Sequence, residues 1–360
     1  MKYETRITDD MIREYESLGY WVNKTICDFL DQSVSRYPDK EVIVDPFKRV
    51  TYGELSSMVD RLALAFLELE VQPGDVVSFQ LPNWYQFIVI HFALSRIGAV
   101  SNPLIPIYRH REIGYMLKLC ESKIMIIPSQ FRGFDYTEMM RKLLPELPSL
   151  RDIYVVGNDV PADMKPFQEL LETPWEQKRD PRSLREIDIN PNDVTEVMFT
   201  SGTTGEPKGV MHTHNTLIYP LLKTIERVNF DPEDVALMAS TFAHQTGFLY
   251  GARLPTMIGG KGIYMDAWEA EKAVELIEAE GVTFNMGATP FLSDLAYAPN
   301  VSEHDLSTLR LFICGGASIP RKLVVDAKSI LNCAISAGWG QTENALVTLN
   351  DLDDPDEKVY

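Results

Sequence analysis

The sequence predicts an α/β fold: two layered subdomains, each with a mostly parallel sheet covered by helices. Three observations predict it. Short β-branched runs alternate with amphipathic helical stretches from about residue 50 onward. One proline- and charge-rich stretch, 159–192, interrupts that beat. The 360 residues are 45% hydrophobic, which is enough for more than one core.

The elements follow in order. Tyr52–Leu69 sets Leu55, Met58, Val59, Leu62, Ala63, Phe66 and Leu67 at i, i+3, i+4 spacing, so one helical face is apolar. A turn at Pro73–Gly74–Asp75 leads into the strand-like VVSFQL. The same pairing recurs as YQFIVIHFALSRI then AVSN, REIGYMLKLCES then KIMIIP, and MMRKLLPEL then DIYVVG. The interrupting stretch reads as a surface connection with one short helix, so the subdomains are expected at 1–185 and 186–360. In the second, EAEKAVELIEAEG precedes VTFNM, and LRLFICGG precedes a helix from Arg321 that leads to CAISAG. No fixed-period repeat is present, which excludes a solenoid.

Composition narrows the function. A formal net charge of −18 argues against a broad grip on nucleic acid, which needs clustered Lys and Arg. A small anion needs only a local pocket of amides and one or two cations. The four cysteines, Cys27, Cys120, Cys314 and Cys333, show neither disulfide-framework nor zinc spacing. The N-terminus is too acidic for a signal peptide, and FIVIHFAL is too short to span a bilayer. A reducing, cytoplasmic setting is expected, and an oligomer is compatible with the sequence.

The chemistry concentrates in TSGTTGEPKGV at Thr200–Val210, after a strand-like EVMF and before a helix expected near His214. Glycines let backbone N–H groups turn toward an anion, hydroxyls add donors, and Lys208 adds a point charge. Gly202 and Gly205 precede Glu206-Pro207-Lys208, which fails the Walker spacing and disfavours a Walker NTPase. By composition alone the loop is also readable as a flexible surface turn. His212 and His214 form H-x-H without a third ligand close by, and read as the approach to a helix start. Gln341-Thr342-Glu343 taken alone suits a helix N-cap, and Gly315–Gly316 after a strand suits a tight turn.

The full strings are more specific than their composition. TSGTTGEPKGV, VTYGEL at Val50–Leu55, LSRIGAVSNPLIP at Leu94–Pro106, TFAHQTGF at Thr241–Phe248, CGGASIP at Cys314–Pro320 and GWGQTE at Gly338–Glu343 occur in one order along nearly the whole chain. In these strings the sequence resembles the adenylate-forming enzymes: acyl-CoA synthetases, luciferases and peptide-synthetase adenylation domains.

The resemblance implies roles. Thr200, Ser201, Gly202, Thr203, Thr204, Gly205 and Lys208 would embrace the β- and γ-phosphates of ATP. Gly315, Gly316, Ala317, Trp339, Gly340, Gln341 and Thr342 would hold AMP, with Trp339 standing where the family usually has tyrosine or phenylalanine. Thr342 would reach the α-phosphate, Glu343 would hold Mg²⁺, and His244 would stand between phosphate and acyl pocket; with Lys208 these are the expected catalytic residues. The acyl pocket would draw on His244, Gln245, Thr246, Gly247, Phe248, Met286, Gly287, Gly315 and Trp339. Ala243 and His244 occupy the neighbourhood where amino-acid-activating relatives carry an aspartate, which points to a simple aliphatic, alicyclic or aromatic acid.

The resemblance also implies what is missing. Family members continue with an aspartate for the ribose, a hinge, and a C-terminal domain bearing a catalytic lysine, none of which occurs here. The expectation is the large N-terminal part of an ATP-dependent carboxylic acid–CoA ligase, adenylating poorly by itself, with ATP, Mg²⁺, a small carboxylate and coenzyme A as cofactor and partners. The alternatives are an acyl- or aryl-acid AMP ligase loading a carrier protein, and a non-catalytic acyl- or nucleotide-binding fragment.

Overall fold

The computed structural model of the protein describes residues 3–200, 205–352 and 354–359. The chain divides into two compact units: Met1–Asp28, Glu54–Pro82 and Gln86–Thr216 form the first, and Phe29–Gly53, Asn83–Tyr85 and Leu217–Tyr360 the second. In chain order, strands β1 (Glu41–Val44) and β2 (Arg49–Thr51) belong to the second unit. The first unit then carries β3 (Val76–Phe79), β4 (Val100–Pro103), β5 (Ile124–Pro128), a small ribbon of β6 (Gln130–Phe131) and β7 (Phe134–Asp135), β8 (Asp152–Val156), β9 (Lys165–Pro166), β10 (Val194–Thr200) and β11 (Lys208–Thr213). The second unit resumes with β12 (Val235–Met238), β13 (Lys261–Tyr264), β14 (Phe284–Ala288), β15 (Leu311–Gly315), β16 (Ala334–Gln341) and β17 (Ala345–Leu349).

The first sheet has the order β11-β10-β4-β3-β5-β8-β9, parallel throughout except for β11. Every residue of β3, β4 and β5 is buried, as a sheet covered on both faces requires. One face packs a core that includes Val76, Val100, Ile113, Met116, Ile127 and Met140. The second sheet runs β17-β16-β15-β14-β12-β13-β1-β2, parallel except at its two ends. Its core includes Leu237, Ile263, Ile277, Phe312, Val324 and Leu331, each worth about 1.5–3 kcal/mol of burial. The fold is the α/β architecture expected.

The division falls elsewhere than 185/186. Strand β10 pairs in parallel with β4 (Glu196 opposite Ser101), so the hairpin carrying the phosphate loop joins the first sheet and not the second. Residues 29–53 join the second unit because β1 pairs with β13, Ile43 opposite Gly262 and Val44 opposite Ile263. Backbone amides must find partners, and these strands find them far along the chain. The interrupting stretch is also more than a surface connection. It adds β9 to the sheet edge, buries Phe167, Leu170, Leu171 and Leu184, and is fastened by Arg61 to Glu176 at 2.7 Å.

All four cysteines are free and buried. Desolvation pushes the Cys120 and Cys333 thiols up to about 12, so they behave as small hydrophobes and not nucleophiles. Among the described residues no helix is long and apolar enough to cross a membrane.

Candidate active site

The second unit gathers four motifs at one edge of its sheet. Strands β12, β14, β15 and β16 are consecutive neighbours and mutually parallel. Ala288 lies opposite Gly315, and Gly315 opposite Gly338, so NMGATP, CGGASIP and GWGQTE leave the sheet side by side. The Thr241–Phe248 string follows the end of β12. Ligands of open parallel sheets bind at this carboxyl edge.

The β12 end is fastened by Asn83, a buried residue from a three-residue piece of distant chain. Its Nδ2 donates to the carbonyls of Ser240 (3.0 Å) and Met265 (3.2 Å), and its Oδ1 accepts the Phe242 N–H at 2.8 Å. That anchor holds the backbone two residues before His244. Imidazole Nδ1 of His244 accepts the Thr246 N–H at 3.2 Å, which puts the proton of the neutral ring on Nε2. The side chain reaches the surface, yet the protein around it lowers its pKa from the ordinary histidine value through desolvation. A neutral ring with Nε2–H is a donor suited to a carboxylate or phosphate oxygen.

After His244 the chain winds into a π-helix, Thr246–Arg253, a rare form that recurs at functional sites. Gly247 and Gln245 are buried and Thr246 is half-buried. Phe248 has no exposed surface, and the Arg253 guanidinium lies 3.6 Å from its ring centroid. Phe248 therefore presents no free face. Met286 and Gly287 on β14 are buried too, while Gly315 is half-exposed and Trp339 is 58% exposed.

Each of the two glycines of CGGASIP has its own reason. A Cβ on Gly315 would stand 2.5 Å from the Gly338 carbonyl oxygen, so this glycine lets two strands approach. Gly316 has φ +81°, and a Cβ there would meet nothing within 4 Å: it turns the chain and leaves open space beside it. Ala317 and Ser318 are exposed, and a cleft of about 460 Å³ opens there, lined in part by Thr289, Pro290, Ser318 and Lys322. Gln341, Thr342 and Glu343 lie at the turn between β16 and β17, with Asn344 N–H donating to the Gln341 carbonyl at 3.2 Å. The helix-cap reading of these residues gives way to a β-hairpin, because Gly338–Gln341 pairs antiparallel with Ala345–Leu349. Glu343 and Gln341 are exposed and Thr342 is half-buried.

The described residues include no cluster of three metal-binding side chains. Glu343 nevertheless fits Mg²⁺, which is held by one or two carboxylates together with waters and substrate phosphates more often than by an all-protein cage.

In the first unit the strands that flank the phosphate string, β10 and β11, pair antiparallel, so a strand stands between the string and the helix from His214. Thr200 lies opposite Lys208, and its hydroxyl is 3.5 Å from the Lys208 carbonyl. Lys208 and Gly205 are exposed, and Glu206 pairs with Arg111 at 3.1 Å. Ser201, Gly202, Thr203 and Thr204 lie outside the described residues. His212 Nδ1 contacts the Thr216 hydroxyl at 3.2 Å, and His214 Nδ1 accepts the Ile26 N–H at 3.2 Å, so each histidine has a structural partner. The helix His214–Val228 begins where the sequence places it.

Sequence reasoning missed Asn83, the π-helix and the hairpin at 341–345. Nothing in QLPNWY marked Asn83 as an anchor, since an asparagine after Pro reads only as a turn residue.

The fold is that of an α/β protein whose motif loops leave the carboxyl ends of parallel strands, where ligands of such sheets bind. A family model described as AMP-binding enzyme matches residues 30–360, and the chain belongs to that family. It is 32% identical over 358 residues to the medium-chain fatty-acid–CoA ligase of Escherichia coli (strain K12), covering 99% of this chain and 62% of the relative. It is 30% identical over 356 residues to the 2,3-dihydroxybenzoate-AMP ligase of Bacillus subtilis (strain 168), covering 98% and 63%. Among solved structures, apo MbtA of Mycobacterium smegmatis superposes with a TM-score of 0.87 at 25% identity, over 99% of this chain and 64% of that one. The chain thus spans somewhat under two thirds of the length of the curated relatives it matches.

Proposed function

We propose that this chain carries the nucleotide- and acid-binding part of an ATP-dependent carboxylic acid–CoA ligase. The observation that supports this most is the register that sets Ala288, Gly315 and Gly338 side by side, with the Gln341–Glu343 turn beyond them. A carboxylate oxygen of the substrate attacks the α-phosphorus of ATP; the bond to the β-phosphate oxygen breaks and pyrophosphate leaves. The thiol of coenzyme A then attacks the acyl carbon and AMP departs. Such a reaction asks mainly for positioning and charge stabilisation.

In this reading Lys208 and the hydroxyls and amides around Thr200 hold the β- and γ-phosphates. Thr342 donates to the α-phosphate, and Trp339 offers its exposed face to adenine or to the acyl group. His244, neutral with its proton on Nε2, donates to an oxygen of the acid or phosphate and adds no positive charge. Glu343 would hold Mg²⁺, which when bound neutralises phosphate charge. The acid is small to medium in size, because Gln245, Gly247, Phe248 and Met286 are already packed.

A second reading, an aryl- or acyl-acid AMP ligase that passes the acyl group to a carrier protein, is favoured by the likeness to the dihydroxybenzoate ligase. Titration calorimetry with ATP, AMP, and benzoyl- and octanoyl-sulfamoyl adenosine tests the common core. Binding of at least one acyl-sulfamoyl adenosine more tightly than AMP is expected; no binding of either would sink both readings. The acyl chain preferred then separates aromatic from aliphatic acids.

A further inference from the structure

One hydroxyl joins the π-helix Thr246–Arg253 to the hairpin that presents Thr342 and Glu343. The Leu346 N–H donates to Tyr250 Oη at 3.1 Å. Leu346 lies opposite Gly340, where the β16–β17 register shifts, so the contact falls at the irregular point of the hairpin. Tyr250 is 2% exposed, and its hydroxyl oxygen accepts this bond in the interior. Burial pushes Tyr250 up to about 12, so the hydroxyl stays protonated across the neutral range.

The contact matters because of where its two ends lie. The π-helix begins two residues after His244 and contains Phe248. The hairpin turn holds Thr342 and Glu343, and β17 is an edge strand, paired on one side only. At a register shift the ladder is locally interrupted, so a hydrogen bond from outside it adds to what fixes the hairpin there.

We propose that Tyr250 is a positioning residue. Its hydroxyl sets the β16–β17 hairpin against the π-helix, so that the acid-binding segment and the Thr342–Glu343 turn move together. This rests on the adenylate-forming reading of those residues. Coupling of this kind is reciprocal, so an acyl group and a nucleotide in one ligand gain from it more than AMP alone.

The test compares wild type with Tyr250→Phe, which keeps the ring and removes the oxygen that accepts the Leu346 N–H. Hydrogen exchange is followed without ligand, and affinity is measured for AMP and for benzoyl- and octanoyl-sulfamoyl adenosine. Tyr250→Phe is expected to speed exchange in 338–349 about tenfold while the helix Arg321–Leu331 keeps its protection. It should weaken the preferred acyl-sulfamoyl adenosine about tenfold and AMP less. Unchanged exchange in 338–349, or equal weakening of AMP and the acyl analogue, overturns the proposal. If wild type binds neither AMP nor an analogue, the functional reading falls. Exchange in 338–349 then decides alone whether Tyr250 anchors the hairpin.

Discussion

The two candidate ligand-binding regions are built on opposite plans. In the first unit the phosphate string is flanked by two antiparallel strands, with Thr200 paired to Lys208 and Lys208 exposed. In the second unit the motifs leave adjacent parallel strands, held in register and crowded by backbone. The first region pairs residues that are neighbours in sequence, whereas the second brings together strand ends from distant stretches of chain. The difference teaches that one region rests on local pairing and the other on long-range register.

The largest expected effect sharpens that contrast. Gly315→Ala puts a Cβ 2.5 Å from a backbone oxygen and should cost about 3 kcal/mol. Gly209→Ala meets the Val197 Cγ1 methyl at 2.9 Å, which a side-chain rotation relieves, and should cost about 1 kcal/mol. Denaturant titration of both variants checks the order; equal costs would break the comparison.

Asn83→Ala comes next, because it leaves the Ser240 and Met265 carbonyls and the Phe242 N–H without their partner. A loss of about 2 kcal/mol is expected, with faster exchange concentrated at 240–248. If the first unit loosened equally, the anchor would not be local to the β12 end.

Lys208→Ala should leave stability within about 0.5 kcal/mol, since the side chain is exposed, and should weaken ATP about tenfold, roughly 1.4 kcal/mol, with AMP little affected. An equal loss of AMP would place Lys208 elsewhere than on the β- and γ-phosphates.

Acid should distinguish the two units as well. Glu280 accepts hydrogen bonds from Arg49 at 2.7 and 2.9 Å and from Lys261 at 3.0 Å, which holds its carboxyl near a pKa of about 2 in place of 4.5. A carboxylate with a depressed folded pKa stabilises fully above the unfolded value and loses that contribution as pH falls through the folded one. The second unit should therefore lose about 1–2 kcal/mol between roughly pH 4.5 and pH 2, a figure reduced because Arg49 is half exposed. Arg49→Met should give up most of that contribution already at neutral pH. Exchange measured separately in 270–285 and in 124–156 against pH is the check.

Much of this was legible in one dimension. The spacing of Leu55, Met58, Val59 and Leu62 marks a helix that the structure runs from Tyr52 to Glu68. The runs VVSF, IMIIP, IYVV and LFICG are strands. GWGQTE and CGGASIP drew attention as strings, although their conformation did not follow from them: Thr342 sits in a hairpin turn and not a helix cap. The pairing of β1 with β13 and of β10 with β4 left no local trace. A strand's neighbours are chosen by register and burial across long stretches of chain, which periodicity does not encode. Asn83 escaped notice for the same reason, since its three hydrogen bonds all go to residues at least 157 positions away.

By itself, the sequence determined the class of fold, because alternating periods dictate which segments bury one face and which bury two. It also carried the family, because six strings in one order along the chain are far more specific than their composition. Only the tertiary structure decided which sheet each strand entered, that the phosphate loop belongs to the first unit, and that Asn83 and Tyr250 hold the pieces of the second. Those decisions rest on backbone amides and buried hydroxyls finding partners far along the chain, and such partners exist only once the chain has folded.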